Sequence, residues 1–346
     1  MAAPRYRNDP QVQIRELNED SIKFVLSNID TSVANAVRRV MMSEVTTMCI
    51  DMVEVLENTS PLTDEFICHR LGLIPLNYNY TEQNFPFCAG PAVDDTGTLD
   101  HRFNDFKECE CQNVSSCYRC SAVFELNVEF RPDEDESEMT KNVTSKDLVP
   151  VSLADGIFPD VNPVHFSSQE ERDNSHDDGI LIVKLARGQK VHMRCIAILG
   201  IGKQHAKWSP VSACSFMCKP VVIPNVAAFN LLSPDQQDEI RAACREPHIF
   251  DSSHAGGPVD VENTKDWLFT GELEDVCRKV TRKFEHDIVS ISRDDSTFIF
   301  NVETTGAMPP YEVVHEALKL VTKKMRYLKA EIQREMANPM NNPGIY

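Results

Sequence analysis

Two stretches decide the fold: Asn28-Ile-Asp-Thr-Ser-Val-Ala-Asn-Ala-Val-Arg-Arg-Val-Met-Met-Ser-Glu44, and Asp64-Glu-Phe-Ile-Cys-His-Arg-Leu-Gly-Leu-Ile-Pro75. In the first, Asp30 and Thr31 are N-cap candidates. Val33, Val37, Val40 and Met41 follow at i, i+4, i+7 and i+8, on one helical face, with Asn35, Arg38 and Arg39 on or beside its flank. The second opens with Asp64 and Glu65 as a short helix. Gly72 suits the left-handed position past its end, and Pro75 prevents continuation. Between them, residues 47–57 are rich in Ile, Met and Val and read as a strand.

Working outward, residues 11–17 and 21–27 read as strands joined by a polar turn, with Ile22, Phe24 and Leu26 alternating with more polar neighbours. After residue 79 the character changes. Residues 84–106 are rich in Pro, Gly and Asp and read as a loop. A cysteine group follows, then a strand in which Ala122, Phe124, Leu126, Val128 and Phe130 alternate with outward neighbours. The acidic residues 133–138 and the polar residues 167–178 read as solvated segments.

Residues 180–198 read as a hairpin turning at Arg187-Gly188-Gln189, and an apolar strand runs through Val222. Ser233 and Gln236 form a capping box for a helix ending before Pro247. Residues 272–284 read as an amphipathic helix and residues 289–302 as two short strands. Pro309-Pro310 opens the longest helical pattern, to about Met336.

Composition excludes several classes. The 346 residues suffice for two domains. A formal charge of −18 argues against a chain that grips nucleic acid over a broad surface. The N-terminus lacks the apolar run of a secretory signal, and no stretch approaches the ~18 apolar residues of a membrane span. The twelve cysteines are therefore expected to be reduced thiols or metal ligands.

Cys109, Cys111, Cys117 and Cys120 carry the strongest chemical signal. Zinc takes four ligands in a tetrahedron, and Cys-x2-Cys supplies two from one tight turn. Five intervening residues let the chain return with the other pair, so one structural Zn2+ per chain is expected. Incidental thiols or a small disulfide cluster are the alternatives. Four thiolates leave no open position for water or substrate, which speaks against a zinc hydrolase. The thioredoxin-like setting of a thiol oxidoreductase is missing too. Cys88, in an apolar setting, is expected to pack, as are Cys214 and Cys218. Gly200-Ile-Gly202-Lys203 lacks the spacing and the helix of a phosphate loop.

The ordered words Asn35-Ala-Val-Arg38-Arg39, Asp64-Glu65 and Arg70-Leu-Gly-Leu-Ile-Pro75 resemble the signature of the alpha-like subunits of cellular RNA polymerases. Downstream matches resemble the third-largest-subunit branch found in eukaryotic RNA polymerase II. The resemblance implies an α+β chain. A discontinuous dimerisation domain of antiparallel strands and packed helices (residues 1–48 and 180–346) would be interrupted by a mostly β zinc-binding insert (residues 49–179).

It further implies a nuclear, non-catalytic assembly subunit. Such a subunit pairs with a small alpha-like subunit and carries the second-largest subunit and small zinc-binding subunits, with little or no nucleic-acid contact and no membrane. Arg38, Arg39 and Arg70 would meet a large subunit. On sequence alone, Arg38 and Arg39 read as a solvated helix face, and it is the resemblance that reverses this reading. The related subunit shared by polymerases I and III ordinarily lacks the cysteine group.

One pattern concerns the pairing itself. Val314, Leu318, Val321, Met325, Leu328 and Ile332 are spaced 4, 3, 4, 3, 4, a heptad seam. For three heptads the ordinary reading is a core helix on the chain's own sheet, but this helix is unusually long for a globular domain. The resemblance implies that it meets a partner, together with the face of Val33, Val37 and Val40.

Overall fold

The computed structural model describes residues 9–78, 109, 111, 117, 120–131, 139–152, 161–164, 179–243, 259–260 and 289–337. The loop 84–106, Cys88, the polar segments 133–138 and 167–178, and the helix read at 272–284 lie outside the described residues.

In chain order the strands are β1 Gln11–Leu17, β2 Ser21–Ser27, β3 Thr46–Asn58, β4 Leu76–Tyr78, β5 Ser121–Glu129, β6 Thr140–Thr144, β7 Leu148–Val151 and β8 Val161–Pro163. Then come β9 Leu181–Ala186, β10 Lys190–Ile201, β11 Val211–Pro224, β12 Val259–Asp260 and β13 Val289–Thr304. The helices are α1 Thr31–Ser43, α2 Asp64–Gly72, α3 Val226–Phe229, α4 Pro234–Ala243 and α5 Pro310–Ala337. The fold is α+β, with antiparallel pairings and few helices.

The chain divides into two units. Residues 1–15, 23–34 and 216–300 form one, and residues 16–22, 35–215 and 301–346 the other. The first is built on the sheet β1-β2-β13-β11-β12. Its apolar centre is aromatic: Phe24 stacks on Phe300 at 4.8 Å, and Phe216 meets Phe298 edge-on at 5.6 Å. Residues 289–302 are not two short strands, since β13 runs unbroken for 16 residues. The polar residues 293–297 within it are accommodated locally, where Asp294 Oδ1 accepts from the Ser296 N–H (2.9 Å) and hydroxyl (2.7 Å). Strands on both sides hold β13 extended.

In this unit α4 begins with half of the expected box: Gln236 Oε1 accepts from the Ser233 N–H at 3.2 Å, while the Gln236 N–H goes to the Ser233 carbonyl. The short α3 was not foreseen. Asn225 caps it by accepting from the Ala228 N–H at 3.1 Å.

The second unit holds the sheet β3-β10-β5-β7. β10 is its spine, with Cys195 level with Val53 on one side and Phe124 on the other. One face carries Val191, Met193, Cys195 and Ala197 beside Ala122, Phe124 and Leu126, and α2 adds Ile67 and Leu71 to this core. On the other face Cys49, Val123, Ile196 and Ile198 pack with Trp208. Toward the far end that face becomes a charged ladder, with Lys190–Glu57 at 2.8 Å and His192–Glu125 at 2.7 Å.

Because β3 and β5 occupy both edges of β10, β9 cannot pair there and joins β6 instead. The turn 187–189 is present, with Gly188 at φ 80°, but the expected hairpin opens into two sheets. β3, β5 and β10, far apart in the sequence, share one sheet.

Gly72 also differs from expectation. It is the last residue of α2, and the helix stops through Leu73 in an ordinary right-handed conformation. A Cβ at Gly72 would stand 3.4 Å from the Ile50 carbonyl, an ordinary contact, so the packing of α2 on β3 does not itself require the glycine.

Candidate metal centre and docking surfaces

The four cysteines converge. Their Sγ atoms all lie within 4.8 Å of one another, with Cys109–Cys117 at 3.8 Å and Cys111–Cys120 at 3.6 Å. A zinc–sulfur bond of about 2.3 Å in a tetrahedron requires sulfur–sulfur edges of about 3.8 Å. A disulfide would bring sulfurs to about 2.05 Å. The donor set therefore fits a tetrahedral thiolate-bound ion.

Cys117 and Cys120 are buried, and Cys109 and Cys111 half-buried. A turn fixes the second pair, since the Ser121 N–H (3.1 Å) and hydroxyl (2.8 Å) both donate to the Cys117 carbonyl before β5 begins. Burial and the neighbouring thiols push Cys120 well up and raise Cys111 as well. Metal binding would therefore release protons. Burial is the main cause that raises other thiols, Cys49 and Cys195 to about 12 and Cys214 to about 11.

The α1 residues separate. Asp30 caps the helix, its Oδ1 accepting from the Ser32 N–H at 2.7 Å. Val37 (1% exposed), Val40 and Met41 are buried, together with Ala34. Val33, expected on the same stripe, is 44% exposed. Within the stripe expected to meet a partner, Val37 and Val40 thus belong to the chain's own core, and Val33 remains outside.

Arg38 donates to Asn35 Oδ1 through Nε and Nη2 and is half-buried, while Arg39 is exposed. Arg70 donates to the Leu181 carbonyl at 2.6 Å, and its buried Nε has no partner among the described residues.

The loop 200–210 is a packing device. A Cβ at Gly200 would fall 2.4 Å from the Trp208 indole, and one at Gly202 would fall 2.4 Å from the Met42 carbonyl. Lys207 lies over Trp208 and pairs with Asp51 at 2.6 Å. His205 Nδ1 accepts from the Lys207 N–H, giving it a capping role.

α5 spans 28 residues. Of its apolar residues Pro310, Val313 and Ala317 are buried. Along the seam Leu318 is 41% exposed, Met325 58%, Leu328 52% and Ile332 60%, while Val314 and Val321 are half-buried. The contacts that fasten α5 were missed in the sequence. They come from Val313 and Ala317 one step off the seam, and from the Lys324–Glu44 ion pair.

Residues 23–325 match the family described as the RNA polymerase Rpb3/Rpb11 dimerisation domain. The chain is 36% identical to the DNA-directed RNA polymerase II subunit rpb3 of Dictyostelium discoideum, over 96% of each chain. It is also 36% identical to subunit 3 of the RNA polymerases II, IV and V of Arabidopsis thaliana, over 94% of this chain and 92% of the relative. The RPAC1 subunit of RNA polymerases I and III of Mus musculus is 30% identical over 95% and 86%. Among the described residues no helix is long and apolar enough to cross a membrane. The chain belongs to the Rpb3/Rpb11 dimerisation-domain family, as a non-catalytic alpha-like subunit of the RNA polymerase II kind.

Proposed function

We propose that this chain is an assembly subunit of nuclear RNA polymerase II that pairs with a small alpha-like subunit through the seam of α5. The observation that carries this reading is the bare seam. Leu318, Met325, Leu328 and Ile332 stand in water on one line of a helix about 42 Å long. Covering each large apolar side chain contributes ~1.5–3 kcal/mol, so a matching helix gains several such terms at once. A dimerisation-domain match over residues 23–325 supports pairing as the use of that surface. Val33 extends the pairing face, while Val37 and Val40 hold the helix beneath it.

Within this proposal the pair forms a platform for the second-largest subunit and small zinc-binding subunits. Arg38, Arg39 and Arg70 serve the large-subunit side. Arg38 and Arg70 are half-buried and Arg39 is exposed, which leaves guanidinium surface for a partner's carbonyl or carboxylate. Cys109, Cys111, Cys117 and Cys120 hold one structural zinc in an insert spanning residues 49–179, set between the dimerisation segments 1–48 and 180–346. The polymerase II assignment rather than the I and III form agrees with the cysteine group and with 36% against 30% identity.

Coexpression with a small alpha-like subunit tests the proposal. Wild type should copurify with it at one to one, and Leu318→Glu with Leu328→Glu should capture none. Native capture by that double variant would contradict the pairing face.

A further inference from the structure

The two flanks of the α5 seam differ in chemistry, and that difference bears on the partner's identity. On one flank the helix meets its own unit: Val313 and Ala317 are buried, and farther along Lys324 pairs with Glu44. On the other flank, next to Leu318, Met325 and Leu328, stand His315, Lys319, Thr322, Arg326, Lys329 and Gln333, all exposed. From 315 to 333 that flank contains no carboxylate, although the chain as a whole carries a charge of −18. Lys319 has a neighbour in Glu316 at 2.7 Å. Arg326 and Lys329 have no ion pair among the described residues.

In paired helices, the residues flanking the apolar seam set which helix is accepted. Resting on the seam reading above, we propose that Lys319, Arg326 and Lys329 select a partner helix whose flank carries Asp or Glu, and reject a second copy of this chain. A second copy docked antiparallel on the same seam would set these cations against themselves. Like charges across a pairing face oppose binding, and a carboxylate-bearing flank turns the same groups into attraction. The basic flank is the one that decides, because it is exposed along its whole length, whereas the other meets the chain's own residues at Val313, Ala317 and Lys324. Thus the seam supplies affinity and the basic flank supplies the choice of a different chain.

The test uses the full chain and an Rpb11-type subunit, the second chain in the family's description, with pairing measured at low and high salt. K319E/R326E/K329E should weaken pairing at least about tenfold at ~50 mM salt. The gap to wild type should nearly close at ~1 M, where screening reaches contact range. K319Q/R326Q/K329Q should fall between, and both variants should melt like wild type, since these side chains are exposed. Wild type alone should stay monomeric at low salt.

Unchanged pairing of the Glu variant at low salt, or an equal loss at both salts, would overturn the flank's role. So would self-association of wild type that L318E/L328E removes. If L318E/L328E fails to pair while the flank variant pairs normally, only the flank proposal falls. If L318E/L328E itself still pairs, the seam reading falls.

Discussion

α1 and α5 look alike as sequence and differ as structure. Both show apolar residues at helical spacing with cations alongside. α1 spends its stripe on the chain's own core, where Ala34, Val37, Val40 and Met41 are buried, and leaves Val33 at the edge. α5 anchors itself with Val313 and Ala317 and leaves the longer, better-formed heptad uncovered. Periodicity reports that a helix has an apolar side. It does not report whether that side is covered by the same chain or by another.

The largest expected effect breaks this contrast directly. Val37→Asp puts a charge into a site 1% exposed, and the cost of an unpaired buried charge exceeds ~4 kcal/mol. The variant should fail to fold, as seen in circular dichroism. Leu318→Asp on the bare seam should leave the melting temperature of the unpaired chain nearly unchanged. Equal losses in both would mean that α5 is as internal as α1.

Next in size is the metal centre. Structural zinc supplies ~10–16 kcal/mol of apparent binding energy in small peptides. Cys117→Ser with Cys120→Ser should lower bound zinc from one per chain to none by elemental analysis. It should also speed amide exchange around residues 120–131 while sparing α5. Full zinc in that variant would reject the four-thiolate site.

A smaller effect is expected at Gly200. Alanine there needs the Trp208 ring to shift from a contact of 2.4 Å, at about 1–3 kcal/mol. Tryptophan fluorescence should move along with the melting temperature. Gly188→Ala, with nothing within 4 Å but φ at 80°, should cost only its backbone strain, about 1 kcal/mol.

Much of the fold was legible because it is written locally. The alternation in 21–27, the Asp30 cap, the Gln236 contact to the Ser233 N–H and the Pro309-Pro310 start of α5 each depend on neighbours in sequence. What was not legible depends on distant partners. β9 and β10 part company because β3 and β5 take both edges of β10. β13 passes through a polar run because strands on both sides hold it extended. At the site, the cysteine spacing was enough to foresee the cluster, whereas the division of α1 between Val33 and Val37 required the packed chain.

Hydroxyl-radical footprinting of α5, in the free chain and in the assembled polymerase, tests the central claim most directly. Met325, Leu328 and Ile332 are 58%, 52% and 60% exposed and should label strongly in the free chain. In the assembly their labelling should fall severalfold, while Phe24 and Phe300, already buried, stay at their low level in both. Labelling of Met325 and Leu328 that is as strong in the assembly as in the free chain would contradict α5 as the pairing face.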